Sequence, residues 1–159
     1  MARIYGIKNP NPGKVQMFYA TDQPVGTGCA NARDDVLLVQ FFLRVSFETD
    51  KEISNPAFFT GGPKGPAIDG MWGPKSAAFL KAWEQHLQTV APGAIKQDGR
   101  VDPIKSGTTV GSLTGSTYKI CILNGRYGQL KGVAAHNNIS NDPLFPAALT
   151  QSLFVAVAN

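Results

Sequence analysis

The chain has only two cysteines and two histidines among its 159 residues, and each scarcity narrows the chemistry open to it. Cys29 and Cys121 are too few for a disulfide framework. Cys121 falls in the apolar run YKICIL, where a small hydrophobe fits. The pair therefore reads as two buried thiols, with a single bridge as the alternative. His86 and His136 do not form the His-Glu-x-x-His spacing of a zinc peptidase. His136 with Asp142 is one loose pair. His86 has no partner four residues on, and it reads as a rim residue of an amphipathic helix.

Long apolar runs are missing too. No window approaches the eighteen residues of a membrane span. The N-terminal MARIYGIKNPNPGK lacks the continuous apolar stretch of a signal peptide, so synthesis in the cytoplasm without a cleavable signal is expected. The net charge of +4 is spread along the chain with no basic cluster, which speaks against a nucleic-acid partner. A mild positive field suits an anionic polymer such as a cell wall, and equally a plain solvated surface.

Catalytic signatures are also lacking. No cysteine or serine stands beside an evident base. Glu48, Glu52 and Glu84 are glycosidase candidates by residue type alone, because no spacing ties them together. The stretch GTGCAN (26–31) has neither the lysine nor the glycine spacing of a phosphate cradle. The chain reads as a non-enzyme with no catalytic residue, no metal site and no cofactor.

What is present suits one domain spanning 1–159, long enough to bury a core without staples. Seventeen glycines and eleven prolines make it rich in turns. RIYGI (3–7) and KVQMFYA (14–20) flank KNPNPG and predict a β-hairpin, followed by a loop to residue 32. RDDVLLVQFFLRVSF (33–47) is apolar almost without pause and too long for a strand. It predicts a buried helix, with Asp34 and Asp35 as N-cap and first-turn carboxylate. A loop over 48–66 leads to AIDGMWGPKSAAFLKAW (67–83). There Asp69-Gly70 makes a turn, Gly73 and Pro74 start a helix to Gln88, and Phe79, Leu80, Trp83 and Leu87 form its apolar stripe. Lys75, Lys81, Glu84 and Gln88 lie off that stripe. A second loop over 90–115 contains the turn Asp98-Gly99. A short helix capped by Ser116 or Thr117 then ends at Asn124-Gly125. SLFVAVA (152–158) predicts a last strand beside the hairpin, and no internal repeat stands out.

Three of these segments resemble the three-helix peptidoglycan-binding domain family. Asp35, Val36, Val39, Gln40 and Leu43 follow its loose pattern D-V-x-x-L-Q-x-x-L. Asp69, Gly70, Trp72, Gly73, Phe79, Trp83 and Gln85 follow D-G-x-aromatic-G-x-x-T and the helix after it, with Ser76 in the threonine position. DGRVDP (98–103) and ILN (122–124) are similar to a variant seen in phage and secretion-associated proteins. The resemblance covers about residues 34–124, leaving the hairpin and the C-terminal tail outside it.

The fold class expected is thus α+β, mainly α: a three-helix peptidoglycan-binding-like bundle over 33–130, an N-terminal hairpin and loop over 1–32, and a C-terminal loop and strand over 131–159. In the corner before the second helix, Asp69 accepts backbone N–H bonds of its own turn, and Gly70 and Gly73 omit Cβ atoms that would clash. The resemblance implies a non-catalytic module for the glycan or stem peptide of bacterial peptidoglycan, with Asp69, Trp72 and Lys75 as candidate ligand contacts. The alternative is a structural or interaction protein of a phage tail or related injection or secretion apparatus, docking through the edges of its hairpin. Either role puts the site of action at the cell wall or on such a particle, with no nucleic acid bound and no insertion into a membrane.

Overall fold

The unbroken apolar run after Asp35 becomes the axis of the fold. In the computed structural model, which describes residues 2–8, 15–57, 59, 64–104, 118–152 and 154–157, helix α1 spans Arg33–Thr49 and every residue from Asp35 to Leu43 is buried. A helix that is apolar all round must be surrounded on all sides. Here α1 packs against α2 (Pro74–Val90), α3 (Lys119–Lys131) and α5 (Ala147–Ser152). The chain is α+β and mainly α.

Asp34 and Asp35 do lie in the first turn of α1, where the helix dipole favours carboxylates. Neither is the N-cap: that position is Ala32 and makes no side-chain bond. Asp35 turns inward instead, and its carboxylate accepts the N–H groups of Asp22 and Gln23, both at 3.0 Å. Burial pushes its carboxyl above the usual range, against the pull of those two donors.

Helix α2 starts as its sequence predicts, with Gly73 as N-cap and Pro74 at the first position. It runs two residues further than expected. Phe79, Leu80 and Trp83 are buried, and Leu87 is half-buried. Glu84, expected off the stripe, is 2% exposed, because Lys119 reaches it from α3.

Helix α3 departs most from expectation. It continues through Asn124-Gly125 and stops at Gly132, whose φ is 91°. Gly125 keeps an ordinary helical backbone, and the side chain of Asn124 is occupied elsewhere. Its Oδ1 accepts the N–H of Tyr19 at 2.9 Å and its Nδ2 donates to the carbonyl of Tyr19 at 2.7 Å. Tyr118 occupies the N-cap position. The expected caps Ser116 and Thr117 lie outside the described residues.

The predicted hairpin forms from β1 (Arg3–Lys8) and β2 (Val15–Ala20), antiparallel, with Tyr5 opposite Phe18. The C-terminal strand β5 (Phe154–Val157) adds in parallel on the far side of β1, giving the order β2-β1-β5. Two asparagines reach the outer edge of β2. Asn124 holds Tyr19, and Asn137 Oδ1 accepts the N–H of Met17 at 3.0 Å.

The two predicted loops meet in a small ladder, β3 (Val25–Gly26) against β4 (Arg100–Val101). The backbones approach so closely that a Cβ on Gly26 would stand 2.5 Å from the Gly99 carbonyl. The stretch expected as a C-terminal loop holds α4 (Val133–Asn137), a 3-10 turn at Ile139–Asn141, and α5. These pieces are too short to show an apolar period and are fixed by burial of His136, Ile139 and Leu149.

The two cysteines are free, and each is half-buried rather than buried. Burial pushes the Cys121 thiol up to about 11, so it stays protonated at neutral pH. Among the described residues, no helix is long and apolar enough to cross a membrane.

Candidate functional site

The Asp69-Gly70 corner is built from α1. Gln40 is fully buried, and its Oε1 accepts the N–H groups of Asp69 (3.1 Å) and Gly70 (2.9 Å). Its Nε2 lies 3.0 Å from Asp69 Oδ1, 3.0 Å from the Met71 carbonyl and 3.1 Å from Ser76 Oγ. Asp69 also accepts the N–H of Met71 at 2.9 Å, the turn bond expected of it. Gly70 has φ 76°, and a Cβ there would meet the Arg33 side chain at 2.8 Å. Gly73 is different: its φ of −121° suits any residue and a Cβ would meet nothing within 4 Å. It is a helix cap, with no clash to avoid. Ser76 is buried at the start of α2 with its Oγ turned to Gln40.

A second clamp of the same design joins α2 to the next turn. Glu84 Oε1 accepts the N–H of Gly99 at 3.1 Å and pairs with Lys119 Nζ at 2.6 Å. Lys119 also donates to the Arg100 carbonyl at 2.7 Å and to Asp98. Its three protons thus have three acceptors. Burial raises the Glu84 carboxyl, although Lys119 and the Gly99 N–H draw it back. Burial acts upward on Asp98 as well, but the Lys119 ammonium prevails and holds it below its ordinary value. Gln40 with Asp69-Gly70 and Glu84 with Asp98-Gly99 form a structural repeat. In sequence it is hidden by unequal spacing and by the exchange of Gln for Glu. Gln85, one residue on, is exposed.

Of the three predicted contacts, Asp69 and Trp72 share the corner, and Lys75 follows on the exposed first turn of α2. The Asp69 carboxylate is engaged within the turn. Trp72 is half-buried and packs on the core, with its indole N–H enclosed and unpaired. None of the three lines the cleft between α2, α3 and the turn after α1.

That cleft has a volume of about 340 Å³. Its floor is apolar, formed by Ile53, Trp83, Leu87 and Ile122, with Val90 at one end. Its polar groups are Asp50, Glu52, His86, Arg126 and Gln129. Asp50 ends α1 and is buried. It accepts Arg126 Nε at 2.9 Å and a second Arg126 nitrogen, and its other oxygen accepts the N–H of Glu52 at 3.1 Å. Burial would raise the Asp50 carboxyl, but these donors and the nearby His86 hold it below the ordinary carboxylate range. A carboxylate so held stays ionised and serves as an anchor for Arg126. The cleft can therefore hold a small ligand over an apolar floor and hydrogen-bond it from the rim.

Sequence reading gave His86 as a rim residue of its helix and weighed Glu52 by type alone; both line the cleft. It missed Asp50, Gly125, Arg126 and Gln129, since nothing in the sequence joins the end of α1 to a helix some seventy residues later. Among the described residues, no group of three or more His, Cys, Asp or Glu could hold a metal ion. Comparison of the chain with protein families, with curated proteins and with solved structures returns no match.

Proposed function

We propose that the chain is a non-catalytic recognition module for bacterial peptidoglycan, built as the three-helix bundle that the resemblance implies and acting at the cell wall. The observation that carries this reading is the Gln40 clamp. The glutamine of the first motif and the Asp-Gly of the second, which the resemblance pairs only as patterns, are bonded to one another through three hydrogen bonds, and two more tie the same glutamine to Met71 and Ser76. The motif residues act as scaffold, and the cleft beside them supplies the concave surface. The ligand is assigned to that cleft in preference to Asp69, Trp72 and Lys75, because Asp69 and Trp72 are committed to the corner itself.

The test is retention of the purified chain on insoluble peptidoglycan. Gly125→Leu, which places a side chain in the cleft, should abolish retention, and Trp72→Ala should keep it. Loss with Trp72→Ala alone would return the site to the corner. Absence of retention by the unaltered chain would reject the reading, and release of soluble muropeptides would reject its non-catalytic part.

A second reading has one observation in its favour. Among the described residues, the outer edge of β5 has no strand beside it, while the edge of β2 is closed by two asparagines. An open edge accepts a further strand, as a subunit of a phage tail or injection apparatus would need. Self-association by light scattering without retention on peptidoglycan would favour this reading.

A further inference from the structure

We infer that the cleft takes a short peptide segment with small aliphatic side chains, its amide carbonyls hydrogen-bonded by Arg126 and Gln129, and not a sugar of the glycan. The inference rests on the recognition reading above and sharpens it to one half of the polymer.

The donors come first. Three of the five guanidinium N–H groups of Arg126 are occupied, by Asp50 twice and by Gln129 Oε1 at 3.3 Å. The others have no acceptor among the described residues, and the Arg126 side chain is 34% exposed. Gln129 spends its oxygen on Arg126, which leaves its amide N–H groups, on an exposed side chain, without a partner among the described residues. The cleft thus presents several N–H donors around a guanidinium whose charge Asp50 already balances. Such donors match a neutral carbonyl. A ligand carboxylate would face Asp50 and Glu52 as well, and like charges at short range repel.

The floor decides between peptide and sugar. A sugar ring is held by stacking its C–H face on an exposed aromatic face. Trp83 is the aromatic residue of this floor and it is 1% exposed, too little to offer a ring face for stacking. The rest of the surface, from Ile53, Leu87 and Ile122, is aliphatic. Methyl groups bury well there and need no stacking geometry. A volume of about 340 Å³ lies at the small end for ligand sites and suits one or two small residues.

Gly125 supplies an independent argument. It lies inside α3, its backbone does not require glycine, and a Cβ would meet nothing within 4 Å. Glycine in a helix interior is unfavourable, and no packing contact explains it. The space that its missing side chain leaves belongs to the cleft.

The test uses the full chain and amide chemical shifts, with two probes: N-acetyl-alanyl-alanine N-methylamide and the tetramer of N-acetylglucosamine. The capped dialanine should shift the resonances of His86, Gly125 and Gln129 saturably, and the tetramer should not. Gly125→Leu should weaken peptide binding at least tenfold. Gln129→Glu, an exposed change that replaces donors by a charge, should do so by about tenfold even if Gly125→Leu fails to fold. Saturable shifts at these residues from the tetramer, or peptide shifts that neither variant reduces, would overturn the inference. So would the absence of peptide shifts in a chain that peptidoglycan retains, a result that leaves the wider reading standing. Peptide shifts without retention on peptidoglycan would sink the wider reading alone.

Discussion

At the scale of single residues, Gln40 does the work of a whole loop's side chains. A buried amide offers two acceptor lone pairs and two N–H donors, and here both lone pairs receive backbone N–H groups while the donors reach three oxygens of the same corner. Gln40→Ala removes these partners and leaves the Asp69 and Gly70 N–H groups unsatisfied. A loss of about 3 kcal/mol is expected, since each stranded buried group costs roughly 1–3 kcal/mol; urea unfolding measures it. His136 is the residue whose effect depends on pH. It is 1% exposed and its Nε2 lies 3.0 Å from Asn124 Oδ1. Because Asn124 Nδ2 donates to the Tyr19 and Ile120 carbonyls, Oδ1 must accept, and the imidazole donates from Nε2. Its Nδ1 is then a bare, buried nitrogen with no partner. The rings facing it, Tyr19 and Tyr127, carry no charge that would help it protonate. Burial lowers its pKa below the ordinary value of 6.5. The unfolded chain therefore binds this proton first as pH falls. The stability tied to His136 is whole above about pH 6.5 and drains away as pH falls below it. The buried carboxyls of Asp35 and Glu84 act in the opposite sense, so the measurement is a difference. The slope of unfolding free energy between pH 7 and 5 should be more positive in the unaltered chain than in His136→Phe; equal slopes would refute the assignment.

At the scale of elements, α3 shows where a sequence is legible and where it is not. Helix α1 could be read because its apolar run is too long for a strand, and α2 because Phe79, Leu80, Trp83 and Leu87 form a stripe and Gly73-Pro74 starts a helix whatever surrounds it. Asn124-Gly125 is a good helix stop by local chemistry, yet α3 runs through it. The reason is tertiary: Asn124 finds a better use in capping the Tyr19 edge of β2, more than a hundred residues away. Glu84 reads as lying off the apolar stripe for the same kind of reason, since its counter-ion Lys119 lies 35 positions on. The cleft was illegible as a whole. It is assembled from the end of α1, one face of α2 and one face of α3, and Gly125 contributes by having no side chain. That last point gives a prediction free of any ligand. If nothing but the cleft requires glycine at position 125, Gly125→Ala should raise stability by about 0.5–1 kcal/mol through helix propensity. A loss of stability in urea unfolding would mean that the helix needs glycine there for a reason of its own.

At the scale of the whole molecule, the sheet ties the first strand to the last. β1 lies between β2 and β5, so a strand near the N-terminus is paired on one side by its neighbour in sequence and on the other by residues 154–157. The hairpin in turn is pinned to the helices through Asn124 and Asn137. The parallel pairing with β5 is therefore a closure laid over a helical core that is already complete without it. A stop codon after Ser152 tests this. Leu149 of α5 is fully buried and would remain in place, so the helical signal in circular dichroism should persist. The backbone groups of β1 that face β5 would be left open over a segment, RIYGIK, with three large apolar residues. Exposed edges of this kind recruit other chains. The truncated chain should melt roughly 5–10 °C lower, the shift for a loss of about 2–3 kcal/mol in a chain of this size, and should scatter light increasingly with concentration. If instead the helical signal collapses, the strand is an integral part of the core. If melting and scattering are both unchanged, the β1–β5 ladder contributes nothing to the folded state in solution, and the open edge of β5 loses its claim as a docking surface with it.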